Sequence, residues 1–315
     1  MQRNAGIVGT GFYVPEKVVT NKDVVEKCPS TNEEFIERMT GIRERREAAD
    51  DEVVVDLAVK ACRKALDNAG VAPEDVGLVV FCCTSPDYFC PANACLVQRD
   101  LGCVNAAAFD LDTVCSAANF GLAMGSKFVA DGTCEYVLVV GAELFIRSAD
   151  WGNRDTCIFF GDGSGAFVIG EVPTDYGLKG SWLKSDGRIH EALVTTTDAK
   201  ILQMDGKAVY SFAVEAFPEA VRGACANAGV PVSDIDFVIA HQANIRIIEA
   251  AMQTLGLPMN KTHITLDRYG NTVSGSQFVT LAEAVQEGKI KKGDLVCLVG
   301  FGGGMSWGAN IMRWH

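Results

Sequence analysis

The sequence predicts a duplicated, layered α/β fold with two mixed sheets and with helices between and outside them. Residues 65–81 align without gaps on residues 224–240, an offset of 159. At the same offset residues 136–141 fall on residues 295–300, so a helix, a loop and a strand recur in one order. Continuous runs rich in Val, Ile and Leu are typical of strands buried on both faces. We therefore expect two halves, residues 1–170 and 171–315.

Length and composition narrow the class of protein. A chain of 315 residues with 48% apolar residues and 32 glycines suits a well-buried α/β protein of two subdomains. The net charge of −12 argues against a nucleic-acid partner. No apolar run reaches the roughly 18 residues that a membrane span needs, so we expect no membrane partner.

The 12 cysteines show no regular disulfide spacing, and the N-terminus shows no signal peptide. Both features predict free thiols and a cytoplasmic location. Paired C-x-x-C spacing is missing and the chain has 4 histidines, so no metal site is predicted.

The elements of the first half follow in order. Residues 6–15 predict a short strand that runs into a glycine turn, and Pro15 argues against a nucleotide-binding loop because it would spoil the following helix. Residues 21–28 and 32–39 predict short capped helices, and residues 52–70 predict a longer amphipathic helix closed by glycine. In residues 159–170 the glycines are expected to let backbones approach closely, since no phosphate-loop Gly-Lys-Ser/Thr follows.

Cys115 is predicted to lie at a strand-to-helix junction, where an apolar run gives way to small residues in AAFDLDTVCSAANFG. The unpaired N–H groups and the dipole of a helix start favour a thiolate, so we expect a lowered pKa and a nucleophilic sulfur. For any single cysteine the alternative is a buried, inert thiol. Catalytic partners are needed to decide between the two.

Ligands of a duplicated α/β fold collect where strands end, at the seam between the halves. His241 follows the apolar run of residues 237–240, and Asn271 lies in the loop after Tyr269. With Cys115 they suit acyl transfer, because sulfur takes up an acyl group while imidazole and amide donate to a carbonyl oxygen. The loop FGGGMSWG at residues 301–308 is either an oxyanion hole or a tight turn.

Six motifs closely resemble β-ketoacyl-ACP synthase III of the thiolase superfamily over nearly the whole chain. They are AFDLDTVCSAANFG, IAHQANIRI, LDRYGNTVSG, FGGGMSWG, TGIRER and FGDGSGA. The resemblance implies a thiolase-like fold and a homodimeric enzyme of fatty acid biosynthesis. It also implies coenzyme A thioesters and ACP-bound malonyl as substrates, with no further cofactor.

The resemblance also implies roles for single residues. Cys115 is the acylated nucleophile, and His241 and Asn271 stabilise the enolate formed when malonyl-ACP loses carbon dioxide. The backbone amides of Cys115 and Gly303 form the oxyanion hole. The remaining implied positions are Phe301 beside the malonyl group, Arg154, Phe35 and Asn244 near coenzyme A, Arg246 in carrier-protein docking, and Cys90 at the end of the acyl tunnel.

Several positions depart from the family pattern. Phe35 stands where tryptophan commonly stacks on adenine, and Met39 replaces an arginine, so weaker coenzyme A binding is expected. Cys90 replaces a larger partner-subunit phenylalanine, which predicts a longer acyl pocket unless Phe89 swings in. The usual docking lysines are absent at Ser211, Gln253 and Thr254, which leaves Arg246 and predicts weaker steering of an acidic carrier.

The predicted function is a decarboxylating Claisen condensation of an acyl thioester with malonyl-ACP, which initiates fatty acid synthesis. A first alternative is the same chemistry with unusual acyl groups in a specialised, polyketide-like pathway. A second is a thioester hydrolase, which is disfavoured because Asn271 suits an enolate in a dry site better than it suits an activated water. A third is a non-catalytic subunit, which has no need of the three polar residues.

Overall fold

The computed structural model describes residues 3–196 and 201–315. Its strands are β1 (Ala5–Tyr13), β2 (Lys17–Thr20), β3 (Glu44–Glu47), β4 (Val76–Cys82), β5 (Ala107–Leu111), β6 (Tyr136–Glu143), β7 (Gly163–Glu171), β8 (Gly177–Ser185), β9 (Leu193–Thr195), β10 (Leu202–Met204), β11 (Phe237–Ala240), β12 (Leu295–Gly302) and β13 (Ser306–Arg313). Its helices are α1 (Asn21–Lys27), α2 (Glu33–Thr40), α3 (Val54–Ala69), α4 (Asn93–Leu101), α5 (Ala117–Ala130), α6 (Arg154–Cys157), α7 (Gly206–Ala228), α8 (Ile245–Leu255), α9 (Leu266–Tyr269) and α10 (Ser276–Gln286).

Two mixed sheets have the same strand order. The first runs β1-β7-β6-β4-β5, in which β4 pairs in parallel with β5 and β6 while β7 is antiparallel to both its neighbours. The second runs β8-β13-β12-β11 with matching directions, and a parallel bridge from Val238 to Thr262 stands where the first sheet has β5. The predicted pair of mixed sheets is confirmed.

Apolar clusters divide the molecule into five layers. One cluster packs α3 and α4 on the outer face of the first sheet, and another packs α7 and α8 on the outer face of the second. A central cluster joins α5 and α10 to the inner faces of both sheets. At its middle the rings of Phe167 and Phe278 stack with centroids 4.7 Å apart. The two central helices therefore form a shared inner layer.

None of the helices described is long and apolar enough to cross a membrane.

The duplication extends to the turns that precede the two central helices. Residues 114–116 and 273–275 form equivalent 3₁₀ turns, again 159 positions apart. Each begins with a valine in the left-handed region, Val114 at φ 49° and Val273 at φ 48°. A β-branched residue rarely adopts this conformation. Both halves thus use one strained turn to start their central helix.

The predicted glycine turn near the N-terminus is wrong, because β1 runs unbroken through Gly9 and Gly11. A Cβ on Gly9 would lie 2.5 Å from the Ala65 carbonyl oxygen, and one on Gly11 would lie 2.5 Å from the Ala61 carbonyl oxygen. Both glycines therefore let α3 pack directly on the strand. Gly9 and Gly11 are therefore explained by the contact of β1 with α3 and not by a turn of the chain.

Candidate active site

One cavity of about 790 Å³ is lined by most of the predicted site residues, although Cys90 and Arg154 are not among its lining residues. It lies where the two 3₁₀ turns meet the ends of β11 and β12. Its walls include Cys115, His241 and Asn271, which the structure brings together from both halves, and also Phe301 and Gly303. The three polar side chains are nearly buried, with exposures of 6%, 1% and 7%.

Cys115 lies in the turn that links β5 to α5, two residues before the helix begins at Ala117. Burial raises the pKa of its thiol well above the usual range, and the carboxylates of Glu143 and Asp112 raise it further. The predicted lowering of this pKa is therefore wrong. Burial and the two nearby carboxyl groups outweigh the helix start, so the thiol of Cys115 is held in its protonated form.

Glycines of β12 allow that strand to pass directly behind the nucleophile. A Cβ on Gly302 would lie 2.7 Å from the Cys115 backbone nitrogen, and a Cβ on Gly300 would lie 3.0 Å from its carbonyl oxygen. Gly303 follows at the end of the strand and lines the cavity. Cys115 and Gly303 therefore line one cavity, and the predicted oxyanion hole between their backbone amides stays a prediction.

His241 follows β11 and is held by its backbone N–H, which donates to the Val299 carbonyl oxygen at 2.9 Å. Burial lowers the pKa of its imidazole to about 3, so the ring is neutral at neutral pH. Nδ1 has no hydrogen-bond partner within the described residues. Phe301 packs edge-on against the ring with centroids 5.4 Å apart. A neutral imidazole in this position has one N–H to donate into the cavity.

Asn271 is oriented by its own loop. Its Oδ1 accepts the Val273 backbone N–H at 2.9 Å, which leaves Nδ2 without a hydrogen-bond partner among the residues described. Its backbone N–H donates to the Phe159 carbonyl oxygen at 2.9 Å, and its carbonyl oxygen accepts the Gly161 N–H at 3.0 Å. A fixed amide donor thus faces the cavity from the second half.

The part of the cavity next to the nucleophile is apolar. Cys115 packs in one cluster with Phe145, Phe160, Leu202 and Val273. The two phenylalanine rings are 4.7 Å apart between centroids. Such walls suit a hydrocarbon chain and exclude water from a bound thioester.

The mouth of the cavity carries the residues predicted to contact coenzyme A and the carrier. Phe35 lines it, and the Arg154 guanidinium stacks 4.9 Å from the centre of that ring. The Asn244 side chain links α8 to α2, since its Nδ2 donates to the Met39 carbonyl oxygen at 3.0 Å. Arg246 is exposed and lies 5.8 Å from the centre of the Tyr210 ring.

A second basic residue lies at this mouth beside Arg246. Lys207 also lines the cavity, from the first turn of α7. It lies one helical turn before Ser211, on the same face of the helix. The signal in the sequence is the spacing of four residues between Lys207 and Ser211, which places both side chains on one face of a helix.

Cys90 is exposed and is not among the residues that line the cavity of a single chain. It follows Phe89, whose side chain is 84% exposed. The predicted place of Cys90 at the end of an acyl tunnel would therefore require a second chain.

A buried ionic network supports the segment that carries Asn271. The carboxylate of Glu283 accepts hydrogen bonds from Tyr269 Oη at 2.6 Å, Arg268 Nη2 at 2.7 Å and His263 Nε2 at 2.8 Å. His263, Glu283 and Glu287 have the donor atoms of a metal site. Because Arg268 and Lys289 already pair with these groups, the cluster is a salt-bridge network.

Glu283→Gln is expected to lower the free energy of unfolding by about 3 kcal/mol, because a buried network loses its charge. The hydrogen bonds lower the pKa of Glu283 to about 2, against burial that acts to raise it. This stabilisation is complete above the ordinary pKa of 4.5 and disappears as pH falls towards about 2. Urea denaturation at several pH values measures it. Glu287→Gln, an exposed change on the same histidine, should cost under about 1 kcal/mol; equal losses would contradict the assignment.

A cysteine-based acyl-transfer site shared by two halves of one layered fold is the arrangement of condensing enzymes of the thiolase superfamily. Residues 109–187 match the family described as 3-oxoacyl-[acyl-carrier-protein (ACP)] synthase III, and residues 225–314 match its C-terminal domain. The chain belongs to the β-ketoacyl-ACP synthase III family. The predicted family and fold are confirmed.

Relatives and solved structures agree over the full length. The β-ketoacyl-[acyl-carrier-protein] synthase III of Bacillus pumilus is 43% identical over 311 residues, covering 99% of each chain. The structure of 3-oxoacyl-[acyl-carrier-protein] synthase III from Aquifex aeolicus superposes with a TM-score of 0.95 at 35% identity, covering 98% of this chain and 100% of that one. The corresponding synthase III from Thermus thermophilus gives 0.94 at 40% identity, covering 98% and 99%.

Proposed function

We propose that this protein condenses an acyl thioester, supplied as acyl-CoA, with malonyl-ACP to give a β-ketoacyl-ACP and so initiates fatty acid synthesis. The observation that carries the proposal is the meeting of Cys115, His241 and Asn271 in one buried cavity. Membership of the family supports it, since the relatives are named for this activity. The reaction needs the two thioester substrates and no further cofactor.

The first step transfers the acyl group to the enzyme. The Cys115 sulfur attacks the thioester carbonyl, a new sulfur–carbon bond forms and the bond to coenzyme A breaks. The thiol proton ends on the departing coenzyme A sulfur. During the attack the backbone amides of Cys115 and Gly303 stabilise the negative oxygen.

The second step forms the carbon–carbon bond. Malonyl-ACP loses carbon dioxide, and the electron pair that is left becomes an enolate at the thioester. The ring N–H of neutral His241 and Nδ2 of Asn271 donate to the enolate oxygen. The carbanion attacks the acyl group on Cys115, whose sulfur leaves and regains a proton. Apolar walls protect the carbanion from water.

The alternative functions are not favoured. A hydrolase needs a water activated beside the thioester, whereas Cys115 packs against phenylalanines. Loading of unusual acyl groups in a specialised pathway is not favoured because the full-length relatives are named for β-ketoacyl-ACP synthesis. An inert scaffold does not account for a neutral buried histidine with an unpaired ring nitrogen.

Binding of coenzyme A and of the carrier is proposed for the cavity mouth. Phe35, backed by Arg154, offers a flat face for an adenine ring. Lys207 and Arg246 form no salt bridge within the described residues and flank Tyr210, so both cations remain available to a phosphate or to an acidic carrier protein.

We also propose a homodimer formed through the open edge of the first sheet. Among the residues described, none pairs with the outer side of strand β5, and Ala107 and Asp110 are exposed. Tyr88 and Phe89, with exposed fractions of 55% and 84%, lie in a loop that Asn93 ties to Asp110. An uncovered edge strand beside large apolar side chains favours pairing with a second chain. Cys90 would then approach the partner's cavity.

Incubation with a panel of acyl-CoAs followed by intact mass measurement tests the function. We expect one acyl group to load onto Cys115, and addition of malonyl-ACP should then release carbon dioxide and give β-ketoacyl-ACP. The acyl group that loads fastest identifies the primer. Consumption of acyl-CoA to free acid, or the absence of any adduct across the panel, would overturn the proposal.

A further inference from the structure

Asp112 places a carboxylate in the cavity three residues before the nucleophile. It follows β5 and lines the cavity. Its Oδ1 accepts the Val114 backbone N–H at 3.1 Å, while Oδ2 accepts no hydrogen bond from the residues described. Asp112 lies 159 positions before Asn271, whose Oδ1 is bound in the same way. One turn therefore presents an amide in the second half and a negative charge in the first.

A second carboxylate lies close by. Glu143 ends β6 and is fully buried. It accepts hydrogen bonds from the backbone and hydroxyl of Thr84 at 3.0 Å and from the Ser85 hydroxyl at 2.5 Å. Thr84 itself lines the cavity. No cation pairs with Glu143 or Asp112 within residues 3–196 and 201–315.

Among the residues described, the charged side chains that line the cavity are those of Asp112, Asp155, Asp205, Lys207 and Arg246, and Asp112 is three residues from Cys115. The two basic residues, Lys207 and Arg246, both lie at the mouth. The carboxyl groups of Asp112 and Glu143 both raise the pKa of the Cys115 thiol. Burial raises the pKa of Glu143, which does not line the cavity, so the carboxylate that a negative acyl group would meet beside Cys115 is that of Asp112.

This distribution matters because the two substrates differ in charge. The primer must load onto Cys115, whereas a malonyl group, which carries a carboxylate, must react without loading there. A site can reject the wrong ligand by placing a fixed charge of the same sign next to the charged group of that ligand. Asp112, an exposed residue in the wall of the cavity, supplies such a charge.

We propose that Asp112 makes Cys115 selective for uncharged acyl groups and excludes acyl groups that end in a carboxylate. The inference rests on the proposed function. It adds the charge class of the primer and assigns a specificity residue that sequence reasoning did not single out.

Butyryl-CoA and succinyl-CoA test the selectivity, because their acyl chains have equal length and differ in the terminal carboxylate. Rates of adduct formation on Cys115 are measured by intact mass. The unmodified protein should load butyryl in strong preference to succinyl. In Asp112→Asn the ratio of butyryl to succinyl rates should fall about tenfold, because succinyl loading should rise more than butyryl loading.

Two further variants separate charge from shape. Asp112→Glu keeps the charge and should keep the preference. Asp155→Asn removes a carboxylate from the mouth of the same cavity and should leave the ratio unchanged. An unchanged ratio in Asp112→Asn, or an equal loss in Asp112→Glu, overturns the inference. If no thioester loads the unmodified protein, the proposed function fails instead.

Discussion

Cys115→Ala is expected to eliminate the acyl-enzyme and to reduce condensation by at least about a thousandfold. The reason is chemical, since alanine has no atom able to hold the acyl group between the two steps. His241 and Asn271 remain in place, so malonyl decarboxylation should persist without formation of the carbon–carbon bond. Intact mass detects the adduct, and labelled malonyl-ACP separates release of carbon dioxide from condensation.

The matched control for that variant is Cys95→Ala, which removes an exposed thiol on α4. It should keep the adduct and the full rate of condensation. An acyl adduct that survives in Cys115→Ala and disappears in Cys95→Ala would show that loading occurs on a surface thiol. The assignment of the nucleophile would then be wrong.

His241→Ala and Asn271→Ala are expected to keep acyl transfer to Cys115 and to lose malonyl decarboxylation by a factor of about 10² to 10³ each. Each variant removes one hydrogen-bond donor to the enolate. Combining the two should cost less than the product of the single effects, because both act on one transition state. Release of carbon dioxide at an undiminished rate in both variants would defeat this division of roles.

The neutral state of His241 leads to a prediction about the pH dependence of malonyl decarboxylation. Burial lowers the pKa of His241 to about 3, so the imidazole stays neutral throughout the range in which a free histidine would titrate. Decarboxylation should therefore show no loss from His241 protonation between about pH 5 and pH 8. His190→Ala, a change at an exposed histidine, serves as the control and should leave the profile unaltered.

Much of the fold and site could be predicted because the signals are local. Cys115, His241 and Asn271 each follow a recognisable apolar run or glycine motif, and the offset of 159 relates the halves before any contact is known. Cys115, His241 and Asn271 do line one cavity. Their catalytic roles, and the division of the chain at residue 170, stay predictions.

What could not be predicted depends on contacts between distant segments. The raised pKa of Cys115 comes from burial and from Glu143, which is 28 positions away in sequence and adjacent in space. The glycines of β1 lie inside a strand because α3 packs directly on them. The residues around these glycines in the sequence do not indicate that contact. Lys207 reaches the mouth because α7 begins there. Such features require the packed molecule.

We expect each chain to hold one acyl group, because the two repeated turns have different neighbours. At the offset of 159, Ser274 stands opposite Cys115 and Glu143 stands opposite Gly302. The Ser274 hydroxyl donates to the Cys82 carbonyl oxygen at 2.9 Å, and the Glu143 carboxylate accepts hydrogen bonds from Thr84 and Ser85. Gly302 leaves room for a substrate beside Cys115. At the equivalent place in the other half, the side chain of Glu143 fills the space beside Ser274. The stoichiometry is one reaction centre for two copies of the motif.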